Sequence, residues 1–136
     1  MTEYLELADG LLIAEAVLGI PADALAKFES IGLFESALQS PAASFGGVDF
    51  YPTLAAKAAV LCAHVAKNHG LPDGNKRAAF LAMVEFLERN GHEWNPPLGD
   101  WDGEETDRMI RAVAASDLDE ATLAGLEAWI VENAGL

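Results

Sequence analysis

Cations are scarce in this chain: eight Lys and Arg stand against 22 Asp and Glu, for a formal net charge of −14 in 136 residues. A surface of that sign repels phosphate backbones and anionic headgroups, so neither direct nucleic-acid binding nor membrane adhesion is expected. Cysteine is nearly absent as well. Cys62 stands alone inside an alanine-rich apolar stretch, where it forms no internal disulfide and reads as a small core residue. Long apolar runs are missing: no eighteen-residue uncharged stretch exists to cross a bilayer. Glu3, Glu6 and Asp9 interrupt the N-terminal apolar residues and no basic region precedes them, which is the wrong layout for a secretory signal. The expected compartment is the cytoplasm. The chain also lacks repeats and linkers, and its length suits one domain over residues 1–136, with 51% hydrophobic residues available for a core.

Helical periodicity accounts for most of what is there. Thr2 can cap a first helix running to about Leu18, where Gly19 and Pro21 stop it. A short helix from Asp23 and another over Leu33 to Leu38 follow. Between Pro41 and Pro52, Phe45-Gly46-Gly47-Val48 joins a turn dipeptide to residues that favour extended chain, which predicts a loop or small hairpin. From Thr53 to about Asn68, Leu54, Ala58, Leu61, Cys62 and Val65 form one apolar stripe, with Lys57 and Lys67 off it. Those two lysines are either ordinary solvated side chains or part of a basic cluster with Lys76 and Arg77. Ala78 to Leu87 is apolar almost all round, which predicts the central buried helix, with Gly91 as its C-cap. Asp102 with Glu105 has the form of a capping box, and Asp119 can cap a last helix to Asn133. The fold class is all-α with one small extended excursion.

Chemistry concentrates between the amphipathic and the buried helix, from Asn68 to Arg77. Gly70 and Pro72 end one helix, and Asp73 or Gly74 begins the next, so backbone N–H groups at 74 to 77 point into the loop. Such a helix start favours anions, and Lys76 and Arg77 add two full positive charges to it. Gly74 leaves the backbone open to close approach by a phosphate, and Asn75 can bond phosphate oxygens or orient the loop. Asp73 is out of place beside phosphate unless a divalent cation lies between them, since one carboxylate plus substrate phosphates commonly holds Mg²⁺; otherwise it is a helix cap. Neutral His69 is suited to taking a proton from a hydroxyl near neutral pH. His64 and His92 lack convergent polar neighbours and read as structural.

His69 to Arg77, HGLPDGNKR, closely resembles the signature loop of the Fic/Doc superfamily and in particular its death-on-curing (Doc) toxin branch. Ser44-Phe45-Gly46-Gly47 and Tyr51-Pro52-Thr53 also look like that branch. The likeness runs over the helical layout from about Leu33 to the C-terminus and is loose over the first thirty residues. It implies a compact helical domain in which ATP sits over the loop and a flap, residues 42 to 50, positions a target polypeptide by strand addition. By position it makes His69 the base for a target hydroxyl, Asp73 the Mg²⁺ ligand, Gly74 and Asn75 the phosphate cradle, and Arg77 a phosphate clamp. Leu71 stands where the family usually has phenylalanine, an apolar exchange that should still pin the loop to the core.

Lys76 separates the two chemistries that the resemblance allows. AMP-transferring members resemble one another in a glycine there and a second arginine three residues after the first, whereas this chain has Lys76 and Phe80. The Doc branch implies transfer of the terminal phosphate of ATP to a hydroxyl of elongation factor Tu, a block of translation, and a neutralising antitoxin protein. An AMP transferase of the same fold and a silent binding module are the alternatives.

Overall fold

A computed structural model describes residues 1–95 and 104–136. Seven α-helices are present among them: α1 Leu7–Leu18, α2 Ala22–Leu25, α3 Ile31–Gln39, α4 Leu54–Asn68, α5 Asn75–Arg89, α6 Glu104–Ala115 and α7 Glu120–Ala134. Between α3 and α4 lie a 3-10 turn, Ser40–Ala42, and a two-stranded hairpin, β1 Ser44–Phe45 and β2 Val48–Asp49. The all-α architecture with a small excursion agrees with the reading from periodicity. Asp102, expected as a cap for α6, lies outside the described residues.

The centre of the molecule is α4, not α5 as its apolar run suggested. α4 packs on α5, α7, α3 and α6 and has buried residues on every side, from Ala55 round to Ala66. Five alanines among its buried positions explain why the sequence hides this: small side chains give a weak apolar stripe yet let neighbouring helices approach from all directions. α5 contributes Phe80, Met83, Phe86 and Leu87, each at most 1% exposed, at about 1.5–3 kcal/mol per large side chain buried. Its outer face carries Glu85 and Arg89, paired to each other at 2.8 Å.

Local chemistry sets the helix ends. Thr53 caps α4 through its hydroxyl, which accepts from Ala56 N at 3.1 Å, and Asp119 caps α7 through Thr122 N at 2.8 Å. Thr2 does not cap α1. That helix begins five residues later, at a capping box in which the Asp9 carboxylate accepts from Glu6 N at 2.8 Å. The preceding residues are held instead by α5's end, where Asn90 exchanges two hydrogen bonds with the Glu3 backbone, of 2.8 and 2.9 Å. α5 ends at a C-cap on Asn90, and Gly91 follows with φ 90° in the turn beyond it. Trp94 leaves that turn to pack edge-on between Phe80 and Trp129, with ring centroids 5.6 and 4.9 Å away. The Trp129 indole N–H donates to Glu105 at 3.2 Å, which ties α7 to α6.

Neither lysine of α4 behaves as a freely solvated side chain. Lys57 is 3% exposed and paired with Asp49, and Lys67 is half-buried and donates to the Ser116 carbonyl at the end of α6. Among the described residues no helix is long and apolar enough to cross a membrane.

Candidate active site

The turn between α4 and α5 is held from three directions. α4 ends on His69, whose backbone is left-handed at φ 52° and ψ 41°, a conformation that costs a non-glycine residue about 1–2 kcal/mol. Gly70 follows, pressed against the first turns of α3 so closely that a Cβ there would lie 2.4 Å from the Phe34 backbone nitrogen. Leu71 then turns inward and is 3% exposed, so it does pin the loop to the core. Asn75 closes the loop: its side-chain oxygen accepts from Leu71 N and its amide donates to Leu71 O, both at 3.1 Å. Asn75 thus acts on the loop backbone in this structure, the orienting role of the two open to it.

α5 opens from Gly74, whose φ of 68° is the left-handed value for which glycine is suited. A side chain there would also strike the end of α1, with Val17 Cγ1 at 2.8 Å from the added Cβ. Asp73 sits just before the helix and accepts from Gly74 N at 2.8 Å through one oxygen. That bond takes up the Gly74 amide, so the outward-pointing N–H groups of the first turn belong to Asn75 and the residues after it.

Around this turn lies an open cavity of about 500 Å³, lined by His69, Asp73, Gly74, Asn75, Lys76 and Arg77 together with Pro72, Ala66, Val17 and Leu18. The lining therefore includes each loop residue expected to do chemistry, His69, Asp73, Gly74, Asn75, Lys76 and Arg77. His69, Asp73, Lys76 and Arg77 are all exposed to solvent there. Two cations, one carboxylate and a helix start make a locally positive spot on a chain of formal charge −14. An anion is therefore attracted to this end of α5.

The expected flap is a formed hairpin. Ser44 pairs with Asp49 and Phe45 with Val48, and Gly46 and Gly47 both have positive φ, the requirement of a tight two-residue turn. Phe45 is 79% and Val48 70% exposed, so an apolar edge faces solvent.

Among the described residues no group of three or more His, Cys, Asp or Glu assembles that could hold a metal by itself. Asp73 offers one hard oxygen donor beyond the one engaged by Gly74. That suits Mg²⁺, which keeps waters and takes further oxygens from substrate phosphates.

Val17 and Leu18, which form one wall of the cavity, lie far from the loop in sequence. Nothing in their sequence marks them: an apolar pair before Gly19 looks like any helix end, and only the packing of α1 on Gly74 brings them to the cavity.

A family model described as "Fic/DOC family" matches residues 4–87, from ahead of α1 through most of α5. A relative named "Toxin Doc", from Mycolicibacterium smegmatis (strain ATCC 700084 / mc(2)155), is 38% identical over 132 residues, covering 94% of this chain and 96% of its own length. No solved structure matches at a significant level. The chain belongs to the Fic/DOC family, on its Doc toxin branch. Its likeness to the family also takes in the first thirty residues, where the motifs alone gave only a loose match; this is the region that supplies the Val17 and Leu18 wall.

Proposed function

We propose that this protein is the toxin of a toxin–antitoxin pair and acts as a kinase, moving the terminal phosphate of ATP to a hydroxyl side chain of elongation factor Tu and so stopping translation. The observation that carries the reading is the convergence of His69, Asp73, Lys76 and Arg77 around one cavity at the start of α5. Membership of the Doc branch supports a transferase acting on proteins and an antitoxin partner, and Lys76 in place of glycine favours phosphate over AMP.

The roles follow from chemistry. The triphosphate lies against the N–H groups of α5's first turn, held by Lys76 and Arg77, with Val17 and Leu18 as an apolar wall. Gly74 lets the end of α1 pack close against this turn. Asp73, together with the substrate phosphates, would hold Mg²⁺, which would supply charge neutralisation there. His69 accepts the proton of the target hydroxyl as its oxygen bonds to the γ-phosphorus. The bond from that phosphorus to the bridging oxygen breaks, and ADP leaves. Phosphoryl transfer depends mainly on positioning and electrostatics, and the loop supplies both without a covalent enzyme intermediate. The hairpin edge at Ser44, Phe45, Gly46 and Gly47 takes an extended segment of the target by strand addition.

Label transfer tests the reading. With ATP labelled at the γ-position, purified elongation factor Tu becomes labelled; with the label at the α-position it does not. Label arriving from the α-position instead would make the protein an AMP transferase. Absence of transfer from either would favour the binding module.

A further inference from the structure

An ammonium group at the foot of the hairpin holds both of its legs. Lys57, in the first turns of α4, is 3% exposed, and its Nζ donates to Asp49 Oδ2 at 3.1 Å and to the Pro41 carbonyl at 3.4 Å. The Tyr4 ring centroid lies 5.7 Å from the same nitrogen. Pro41 precedes the hairpin and Asp49 ends it, so one cation joins the two ends of the excursion. A further backbone bond, Phe50 N to Ala43 O at 3.0 Å, closes the same base.

This arrangement meets a specific need. A hairpin with two residue pairs is at best marginal in water, and both side chains of the pair beside the turn, Phe45 and Val48, are exposed and add no core contact. Its formation must therefore come from the turn and from the base. The turn is supplied by Gly46 and Gly47. At the base, a buried lysine is costly unless its charge is paired and hydrogen-bonded, and among the described residues Asp49 and the Pro41 carbonyl on the two legs, with the Tyr4 ring, meet that need. Burial pulls the Lys57 ammonium toward the neutral form, but Asp49 and Tyr4 outweigh it and raise its pKa above the ordinary lysine value. The cation persists throughout the physiological range.

We infer that Lys57 is a positioning residue for the protein substrate: by clasping Pro41 and Asp49 it keeps the hairpin formed as a docking edge, and so sets KM for the target without touching it. The docking half of this inference rests on the function proposed above; the clasp does not.

Two readouts separate them. Lys57→Met keeps the apolar stem and removes the charge; Asp49→Asn removes the partner from the half-exposed side, where the fold is not at stake. Hydrogen exchange by mass spectrometry on the free protein is expected to run about tenfold or more faster over residues 43–51 in either variant, with α5 unaffected. With elongation factor Tu as substrate, KM for the factor rises in each variant while kcat is retained, and the double variant is no worse than Lys57→Met. Unaltered exchange over 43–51 in Asp49→Asn overturns the clasp, whatever the kinetics. Faster exchange with unchanged KM overturns the docking half and leaves the kinase reading standing. A fall in kcat alone would move Lys57 from target positioning to the chemical step and overturn the inference.

Discussion

Replacing His69 by glycine should make the protein more stable and inactive. The residue closes α4 at φ 52° and ψ 41°, where helices commonly end on glycine. Leaving that conformation to a residue without Cβ relieves roughly 1–2 kcal/mol. Glycine's greater freedom in the unfolded chain takes back about 0.5–1 kcal/mol. The side chain is exposed, so little burial is lost with it. The expected net gain is ~0.5–1 kcal/mol, or a rise in Tm of about 2–5 °C for a chain of this size. Phosphate transfer should fall by about 10²–10⁴-fold, the usual contribution of a general base. Scanning calorimetry of wild type, His69→Gly and His69→Ala, run beside the label-transfer assay, checks both halves. Alanine retains Cβ and should be near neutral in stability while losing the same activity. A glycine variant less stable than wild type would mean the opposite, that the imidazole holds the turn in place instead of being held in a strained one.

Other consequences are equally direct. Gly70→Ala should cost more than about 2 kcal/mol, read as a lower urea midpoint, because its Cβ would lie 2.4 Å from backbone that has no flexible end to move aside. Burial lowers the pKa of His64 from its ordinary 6.5, so the unfolded chain binds the proton first as pH falls. Stability is therefore full above pH 6.5 and declines from there down through the folded pKa, and His64→Gln should remove that part of the slope in pH-dependent denaturation. The Cys62 thiol is pushed up to about 12 by complete burial, so iodoacetamide should label it only after unfolding.

What could be read from the sequence and what could not divide along physical lines. The Asn68–Arg77 loop was legible because its chemistry is local: breakers, cations and a carboxylate lie within one turn and two helix ends, and the cavity gathers them as adjacency implies. The hairpin was legible through Gly46-Gly47, and α7 through Asp119. Other features depend on contacts far apart in the chain. Glu3 is held by Asn90, so α1 starts late, and no property of Thr2 signals it. α4 is central because its alanines admit neighbours, whereas periodicity weighs each residue's apolarity and ignores what a small side chain permits. Lys57 was ambiguous for a related reason. Its place off the apolar stripe suits a solvated lysine, and only the return of the chain at Pro41 and Asp49 covers it.

The proposed function stands on one step, transfer of phosphate by this loop to a protein hydroxyl with His69 as the base. Intact-mass spectrometry of elongation factor Tu, incubated with ATP, Mg²⁺ and either the wild-type protein or His69→Ala, tests it most directly. The expected result is a gain of one phosphate, ~80 Da, with wild type and none with the variant. Addition of AMP, or an unchanged mass with an enzyme whose folding is intact, would contradict it.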